Sequence, residues 1–129
     1  MDKIIIKGLK IFAYHGVNPE EKENGQPFII DAECATDLMI PCASDRVEDT
    51  VSYAKIVKTL NRVMTENKYD LIERAAQVCA DAILWEYPAV VSVKLTLKKP
   101  QAPVQADFEY MAVEIERHAH NKFKRGING

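Results

Sequence analysis

The chain has 129 residues, a length typical of a single domain, and its 47% apolar content is enough to build a core. Its net charge of −2 argues against general nucleic-acid or anionic-membrane binding, which needs a basic field. No apolar run approaches the roughly 20 residues that span a bilayer, and charges interrupt the N-terminus too soon for a signal peptide. Three cysteines without CxxC spacing suit a reducing compartment, so we predict a cytoplasmic protein.

Two strands separated by a loop are predicted in the first part of the chain. Residues 3–15 are rich in isoleucine and aromatic side chains and form a predicted strand with a kink at Gly8. Turn-forming pairs of residues mark 15–27 as a loop. Residues 28–38 alternate between apolar and polar side chains, which predicts a strand with one buried face.

Two helices are predicted next, because the apolar period changes from two to nearly four residues. Residues 53–65 carry one apolar stripe, and Ser52 is a predicted N-cap. Residues 71–86 carry a second stripe that ends before a proline. Asp70 is predicted to cap this helix, with Glu73 at the spacing of a capping box.

The last predicted strands cover residues 90–99 and 108–117, and the order β-β-α-α-β-β predicts an α+β fold. Two helices would pack on one face of a four-stranded antiparallel sheet. We expect a single domain over residues 1–118 and a polar, flexible tail over 119–129. The open edges of such a sheet favour assembly with other copies of the chain.

Two adjacent lysines end the third predicted strand, within the segment TLKKPQAP. Because side chains alternate between faces, Lys98 shares the polar face with Thr96 and is predicted to point outward into solvent. Lys99 has the parity of the strand's valines and leucines, and Pro100 restricts it to extended backbone angles. We therefore expect Lys99 beside the core, where an amine can donate or accept a proton. On this segment alone, a lysine that snorkels from a strand end stays open as an alternative.

Five short segments together resemble the dihydroneopterin aldolase family of bacterial folate biosynthesis: YHGV at 14–17, an acidic loop ending in GQ at 25–26, DTVSYAKI at 49–56, DLIERAA at 70–76 and KPQAP at 99–103. The resemblance spans nearly the whole predicted domain. It implies the tunnelling fold, in which sheets of neighbouring subunits join into a barrel. It also implies a homo-oligomer, commonly an octamer of two tetrameric rings, with sites between subunits.

The reaction implied by the resemblance is a retro-aldol cleavage. A pterin substrate, 7,8-dihydroneopterin, would give 6-hydroxymethyl-7,8-dihydropterin and glycolaldehyde. Such a cleavage needs an electron sink, which many aldolases build from a lysine Schiff base or a metal ion. The C=N bond of the dihydropterin ring already supplies that sink, so we expect an enzyme without metal or cofactor.

Three residues match the family's catalytic positions. Lys99 matches the acid/base residue that delivers a proton to the ring nitrogen, directly or through water. Tyr53 matches the tyrosine that handles the proton of the side-chain hydroxyl, and Glu21 matches a glutamate near the substrate. From local pattern alone, Tyr53 would be an apolar helix residue and Glu21 a solvated loop charge.

Further residues match the family's substrate pocket. Glu73 matches the glutamate that anchors the pterin, because a carboxylate accepts two hydrogen bonds from an amino-pyrimidine edge. Ile72 would lend its backbone to the same ring, and Val17 would line the pocket. Val51 and Ser52 would contribute from the adjoining subunit. Many members carry histidine where this chain has Ser52, which is a shorter hydrogen-bonding side chain.

Three alternative functions stay open. An epimerase acting on dihydroneopterin or its triphosphate would share the mechanism, because cleavage and re-addition invert the hydroxyl-bearing carbon. A zinc-dependent pterin enzyme of the same fold would need about three histidine ligands. The sequence offers His118 and His120, with His15 distant. A catalytically silent, ring-forming pterin-binding protein is the third.

Overall fold

Four antiparallel strands form one sheet in the order β1-β2-β3-β4 in the computed structural model, which describes residues 1–120. The elements in chain order are β1 (Lys3–Ala13), α1 (Pro19–Asn24), β2 (Gln26–Ala35), α2 (Met39–Ser44), a 3₁₀ turn (Val47–Asp49), α3 (Tyr53–Glu66), α4 (Ile72–Glu86), β3 (Ser92–Lys99) and β4 (Met111–His118). The predicted α+β class and the order of the main elements are confirmed. The predicted tail beyond residue 120 lies outside the described residues.

Alternation of side chains decides which face of the sheet is buried. In β2 the buried apolar set begins with Phe28 and Ile30, and in β3 it contains Val93, Leu95 and Leu97. Strands β2 and β3 occupy the centre of the sheet, whereas β1 and β4 are its edges. The central position explains why the alternation of these two strands is the clearest in the chain.

The predicted kink in β1 is confirmed at Gly8. The pairing register between β1 and β2 shifts between Ile6 and Leu9, and Gly8 has a φ of 72° there. This left-handed backbone region favours glycine because other side chains meet the neighbouring carbonyl. The Asp31 carboxylate accepts a hydrogen bond from the Gly8 N–H at 2.8 Å. The bulge therefore keeps the inward side chains of β1 on the core side along its whole length.

Helices α3 and α4 cover the inner face of the sheet and complete the core. Helix α3 buries Ile56, Leu60, Val63 and Met64, and α4 buries a stripe of small and branched residues. The Ser52 side chain caps α3, as predicted, by accepting a hydrogen bond from the Lys55 N–H. None of the described helices is both long and apolar enough to cross a membrane.

The predicted cap of α4 is wrong. The helix begins at Ile72, its N-cap is Leu71, and no side chain caps it. The Asp70 carboxylate instead pairs with the Lys22 ammonium at 2.5 Å, so it faces another part of the chain. Glu73 lies three residues from Asp70 but only two from the actual N-cap, so no capping box forms.

Several other elements and boundaries differ from the prediction. The segment 15–27 was expected to be a loop, yet it contains the six-residue helix α1 with Pro19 at its first position. Proline is favourable both at the start of a helix and in a turn, so Pro19 is compatible with either structure. Helix α2 and the 3₁₀ turn were not predicted. Strand β2 begins at Gln26 and ends at Ala35, about two residues earlier at its start and three at its end than expected.

Candidate active site

Lys99 and Glu21 form a close ion pair at the end of β3. The Lys99 Nζ lies 2.6 Å from the Glu21 Oε2, and the two side chains are 12% and 10% exposed. Lys99 therefore turns toward the core side, as its parity predicted. Strand β3 supplies the lysine and α1 supplies the glutamate, so two elements far apart in sequence meet here.

Lys98 points to the opposite face of the sheet, as predicted, but it is not simply solvated. Its Nζ lies 3.0 Å from the Asp31 carboxylate and 4.9 Å from the centre of the Tyr110 ring. The Lys98 side chain is 20% exposed. Cross-strand pairing with β2 explains the difference, because Asp31 occupies a neighbouring position on the same face.

The Glu21 carboxylate is held by several donors besides Lys99. Oε2 also accepts from the Gln26 side-chain amide at 2.8 Å, and Oε1 accepts from the Asn18 backbone N–H at 3.3 Å. Burial raises the pKa of Glu21, but the hydrogen bonds from Lys99, Gln26 and Asn18 outweigh it and lower the pKa below 4.5. The carboxylate is therefore ionised at neutral pH, and Glu21 is not a solvated loop charge.

Gly16 makes room for this carboxylate. A Cβ atom on Gly16 would lie 2.3 to 2.6 Å from three carboxyl atoms of Glu21. Such distances are below van der Waals contact, so a larger residue would displace the glutamate. The YHGV segment therefore seats the side chain that pairs with Lys99.

The loop that carries Glu21 is also tied to the segment before α4. The Gly16 N–H donates to the Tyr69 carbonyl at 2.9 Å, and the Tyr69 N–H donates to His15 Nδ1 at 3.0 Å. The Lys22 ammonium donates to the Gly16 carbonyl and pairs with Asp70. These contacts fix residues 15–22 against residues 69–70.

Three other predicted site residues lie in the first turns of α3 and α4, on different elements from the ion pair. Tyr53 is the first residue of α3 and is 69% exposed, and Glu73 is exposed in the first turn of α4. Ile72, which begins α4, is half-buried. Within residues 1–120, no hydrogen bond or ion pair engages the Tyr53 hydroxyl or the Glu73 carboxylate. A single chain therefore pairs Lys99 with Glu21 but leaves the side chains of Tyr53 and Glu73, in the first turns of α3 and α4, accessible.

The residues expected to line the pocket also remain accessible. Val17 is 66% exposed, and Val51 and Ser52 are half-buried where the chain enters α3. The Ser52 hydroxyl oxygen already accepts a bond from the Lys55 N–H. That contact gives Ser52 a structural role in the single chain.

Gln26 belongs to this site but was not identified from sequence. It is the first residue of β2 and is 5% exposed. It shares the parity of Phe28, so its amide points inward, where it must find a partner. That parity was the available signal, because a buried amide beside a loop glutamate indicates a hydrogen bond.

The described residues do not supply the ligand set that the zinc alternative needs. Across residues 1–120, no group of three or more histidine, cysteine, aspartate or glutamate side chains is arranged to hold a metal ion. His118 lies on β4 and pairs with Glu116 at 2.9 Å. His15 is buried beside Phe28 and Tyr69.

Comparison with known proteins gives one consistent result. The family model described as dihydroneopterin aldolase (FolB) matches residues 4–116. A dihydroneopterin aldolase from Methylorubrum extorquens is 39% identical over 116 residues, which cover 90% of this chain and 89% of the relative. One from Streptococcus pyogenes serotype M1 is 32% identical over 91% of this chain and 98% of the relative. The crystal structure of E. coli dihydroneopterin aldolase in complex with neopterin is similar, with a TM-score of 0.83 and 32% identity over 91% of this chain and 99% of that one.

Proposed function

Because this chain belongs to the dihydroneopterin aldolase family, we propose that Lys99 and Glu21 form the proton-transfer centre of its retro-aldol reaction. The activity of the chain is that of the family, the cleavage of 7,8-dihydroneopterin by an aldehyde-lyase of folate biosynthesis. The close, nearly buried Lys99–Glu21 pair carries the assignment of the centre. A shielded lysine with a fixed carboxylate partner is oriented for proton transfer before the substrate arrives.

The pterin ring is proposed to bind at the start of α4. The Glu73 carboxylate would accept two hydrogen bonds from the amino-pyrimidine edge, and the Ile72 backbone would contact the same ring. Glu73 is exposed in the first turn of α4, so its carboxylate is available to a ligand. The related E. coli enzyme was crystallised with neopterin, which supports a pterin as the ligand class.

The chemistry then consists of balanced proton transfers. The proton leaves the hydroxyl group on the carbon that becomes the aldehyde, and Tyr53 would relay it by passing its own hydroxyl proton to water. The carbon–carbon bond breaks, and its electron pair moves into the conjugated C=N bond of the ring. Lys99 would protonate the ring nitrogen, directly or through water, and glycolaldehyde leaves. The carbon that lost its neighbour then takes up a proton, the ring nitrogen returns its proton to Lys99, and the ring regains its C=N bond to give 6-hydroxymethyl-7,8-dihydropterin.

Glu21 has two parts in this scheme. Its carboxylate holds the Lys99 ammonium at 2.6 Å, and it is itself held by Gln26 and Asn18. This arrangement positions the lysine and offers a nearby acceptor when the proton must return. A positioned acid or base of this kind typically contributes about 10²- to 10⁴-fold to the rate.

We also propose that the complete site needs a second copy of the chain. Tyr53, Val51 and Ser52 would join the Lys99–Glu21 pair across a subunit boundary, with Val17 on the rim.

The exposed apolar side chains Ile5, Phe12 and Tyr53 support this assembly. So do the open edge strands β1 and β4. The expected form is a cytoplasmic homo-octamer of two tetrameric rings whose sheets join into a barrel. Light scattering tests it, and a mass near the single-chain 14.6 kDa would contradict it.

The direct test is to incubate the purified protein with 7,8-dihydroneopterin in the presence of a chelator and to assay glycolaldehyde. We expect turnover at the same rate with and without chelator. Absence of glycolaldehyde, or its formation only after metal is restored, would contradict the proposal. Chromatography of the same samples measures the epimer dihydromonapterin, and epimer without glycolaldehyde would favour the epimerase alternative.

A further inference from the structure

We infer that His15 is a positioning residue for the cleavage, because it fixes the loop that carries Glu21 to the segment that leads to Glu73. On this view His15 sets the distance between the proton-transfer pair and the bound ring. The inference rests on the proposed roles of Lys99, Glu21 and Glu73.

His15 is held rigidly inside the protein. It is fully buried, and its ring contacts those of Phe28 and Tyr69, each at a centroid distance of 5.4 Å. The ring is stacked on Tyr69 at 25° and tilted against Phe28 at 57°. Two aromatic neighbours at these distances restrict rotation of the imidazole. Its orientation is therefore fixed before any substrate binds.

The ring acts as a hydrogen-bond acceptor toward the segment before α4. Nδ1 accepts from the Tyr69 N–H at 3.0 Å, so the proton of the neutral ring resides on Nε2. Burial lowers the pKa of His15, and the charges of Lys99 and Lys22 lower it further, while the backbone of Met64 opposes the shift. A neutral ring preserves the acceptor, because a protonated imidazole has hydrogen on both nitrogens.

His15 thereby completes a two-way link between distant segments. The Gly16 N–H returns a bond to the Tyr69 carbonyl at 2.9 Å, next to the bond that His15 accepts. The Glu21 carboxyl group sits directly over Gly16. Tyr69 precedes α4 by three residues, and Glu73 is the second residue of that helix. Loss of the His15 bond would leave the Gly16–Tyr69 bond and the Lys22–Asp70 ion pair to hold the two segments, and this weaker link would allow the two halves of the site to shift relative to each other.

A shift of this kind affects chemistry more than binding. Glu73 and Ile72 belong to the same helix turn, so they would still hold the pterin ring together. Lys99 and Glu21 belong to the other half, so their alignment with the ring would be lost. A displacement of about 1 Å can lower a rate on the order of 100-fold. A structural role alone would instead lower stability and leave the rate per folded molecule unchanged.

Two matched substitutions test the inference. His15→Asn places an amide oxygen where Nδ1 lies and keeps an acceptor for the Tyr69 N–H. His15→Phe keeps a buried aromatic ring but removes the acceptor. We expect His15→Phe to lower the single-turnover cleavage rate by about 10- to 100-fold and to change neopterin Kd by less than about threefold. We expect His15→Asn to retain most of the rate.

Several results would overturn the inference. These are a wild-type rate in folded His15→Phe, equal rate losses in both variants, or a weakening of neopterin binding that parallels the rate loss. If His15→Phe does not fold, His15→Gln replaces it, since its longer side chain carries the acceptor away from Tyr69. Wild-type protein in the same assay separates a failure of the proposed function from a failure of the role of His15. An inactive wild type contradicts the proposed function, whereas an active His15→Phe contradicts only the role of His15.

Discussion

Lys98 and Lys99 are adjacent and chemically identical, yet the sheet gives them opposite surroundings. Lys98 lies on the outer face, paired with Asp31, and Lys99 lies on the core side, paired with Glu21. The pleat of β3 produces this difference, because successive side chains point to opposite faces. The surroundings of each lysine are therefore decided by parity rather than by residue type.

Exchange of each lysine for alanine gives the sharpest prediction at this scale. Lys99→Ala removes the proposed acid/base group, so we expect kcat to fall by about 10²- to 10⁴-fold. Lys98→Ala is the matched control and should retain kcat within about threefold. Steady-state assays of glycolaldehyde formation measure both. Comparable losses in the two variants would refute the assignment.

Helix α1 is the element that delivers Glu21, although it has only six residues. Asn18 and Pro19 start it, and Glu21 is its third residue, with its side chain directed back to the Asn18 N–H. Gly16 lies just before the helix and leaves the space that the carboxylate occupies. A short helix beside a glycine thus positions a charge where an irregular loop would leave it mobile.

Gly16→Ala tests this element. The new Cβ atom would overlap the Glu21 carboxyl group, so the glutamate must move away from Lys99. We expect kcat to fall by about 10- to 100-fold in a protein that still folds. Assays at saturating dihydroneopterin, with circular dichroism to verify folding, provide the measurement.

Gly8→Ala is the control for this prediction. Gly8 has a φ of +72°, and an added Cβ would meet nothing within 4 Å, so alanine introduces backbone strain without a new contact. We expect a loss of about 1 kcal/mol in the free energy of unfolding and unchanged turnover per folded molecule. If turnover is unchanged in Gly16→Ala as well, the space that Gly16 leaves for Glu21 is not required for catalysis.

At the scale of the whole molecule, the burial of His15 makes the stability of the fold depend on pH. The folded chain has a lowered His15 pKa and keeps the ring neutral, whereas the unfolded chain binds a proton near the ordinary value of 6.5. Protonation therefore favours the unfolded state. We expect the free energy of unfolding to fall below about pH 6.5, with a slope of at most about 1.4 kcal/mol per pH unit from this one group.

Urea unfolding over a pH series measures this effect. The His15→Asn variant should lack the decline that begins near about pH 6.5. Glu21 acts in a more acidic range, since its pKa lies below 4.5 and its contribution is lost as the pH falls through that lower value. An identical decline between about pH 6.5 and 5 in wild type and variant would exclude His15 as the cause.

Local pattern was sufficient for most of the fold. Alternation along β2 and β3, helical spacing in α3 and α4, and the Gly8 kink each depend on residues close in sequence, and each was predicted. The orientation of Lys99 also followed from local parity. These features could be predicted because the secondary structure imposes a fixed period on its own side chains.

Two of the predictions that failed involve residues far apart in the chain. Asp70 was expected to cap α4 but pairs with Lys22, which is 48 residues away. Lys98 was expected in solvent but pairs with Asp31 of the adjacent strand. No local sequence pattern predicts such ion-pair partners, because strand register and helix packing decide which side chains meet.

The sequence by itself determined the order of the four strands and the two long helices, the buried faces, the direction of Lys99 and the membership of the family. Only the tertiary structure decided the surroundings of the site: the Lys99–Glu21 pair, its support by Gln26, and the bond of His15 to Tyr69 across 54 residues. The physical reason is that periodicity is a property of one segment. A charge pair or a buried hydrogen bond is a property of two segments, and it exists only after packing brings them together.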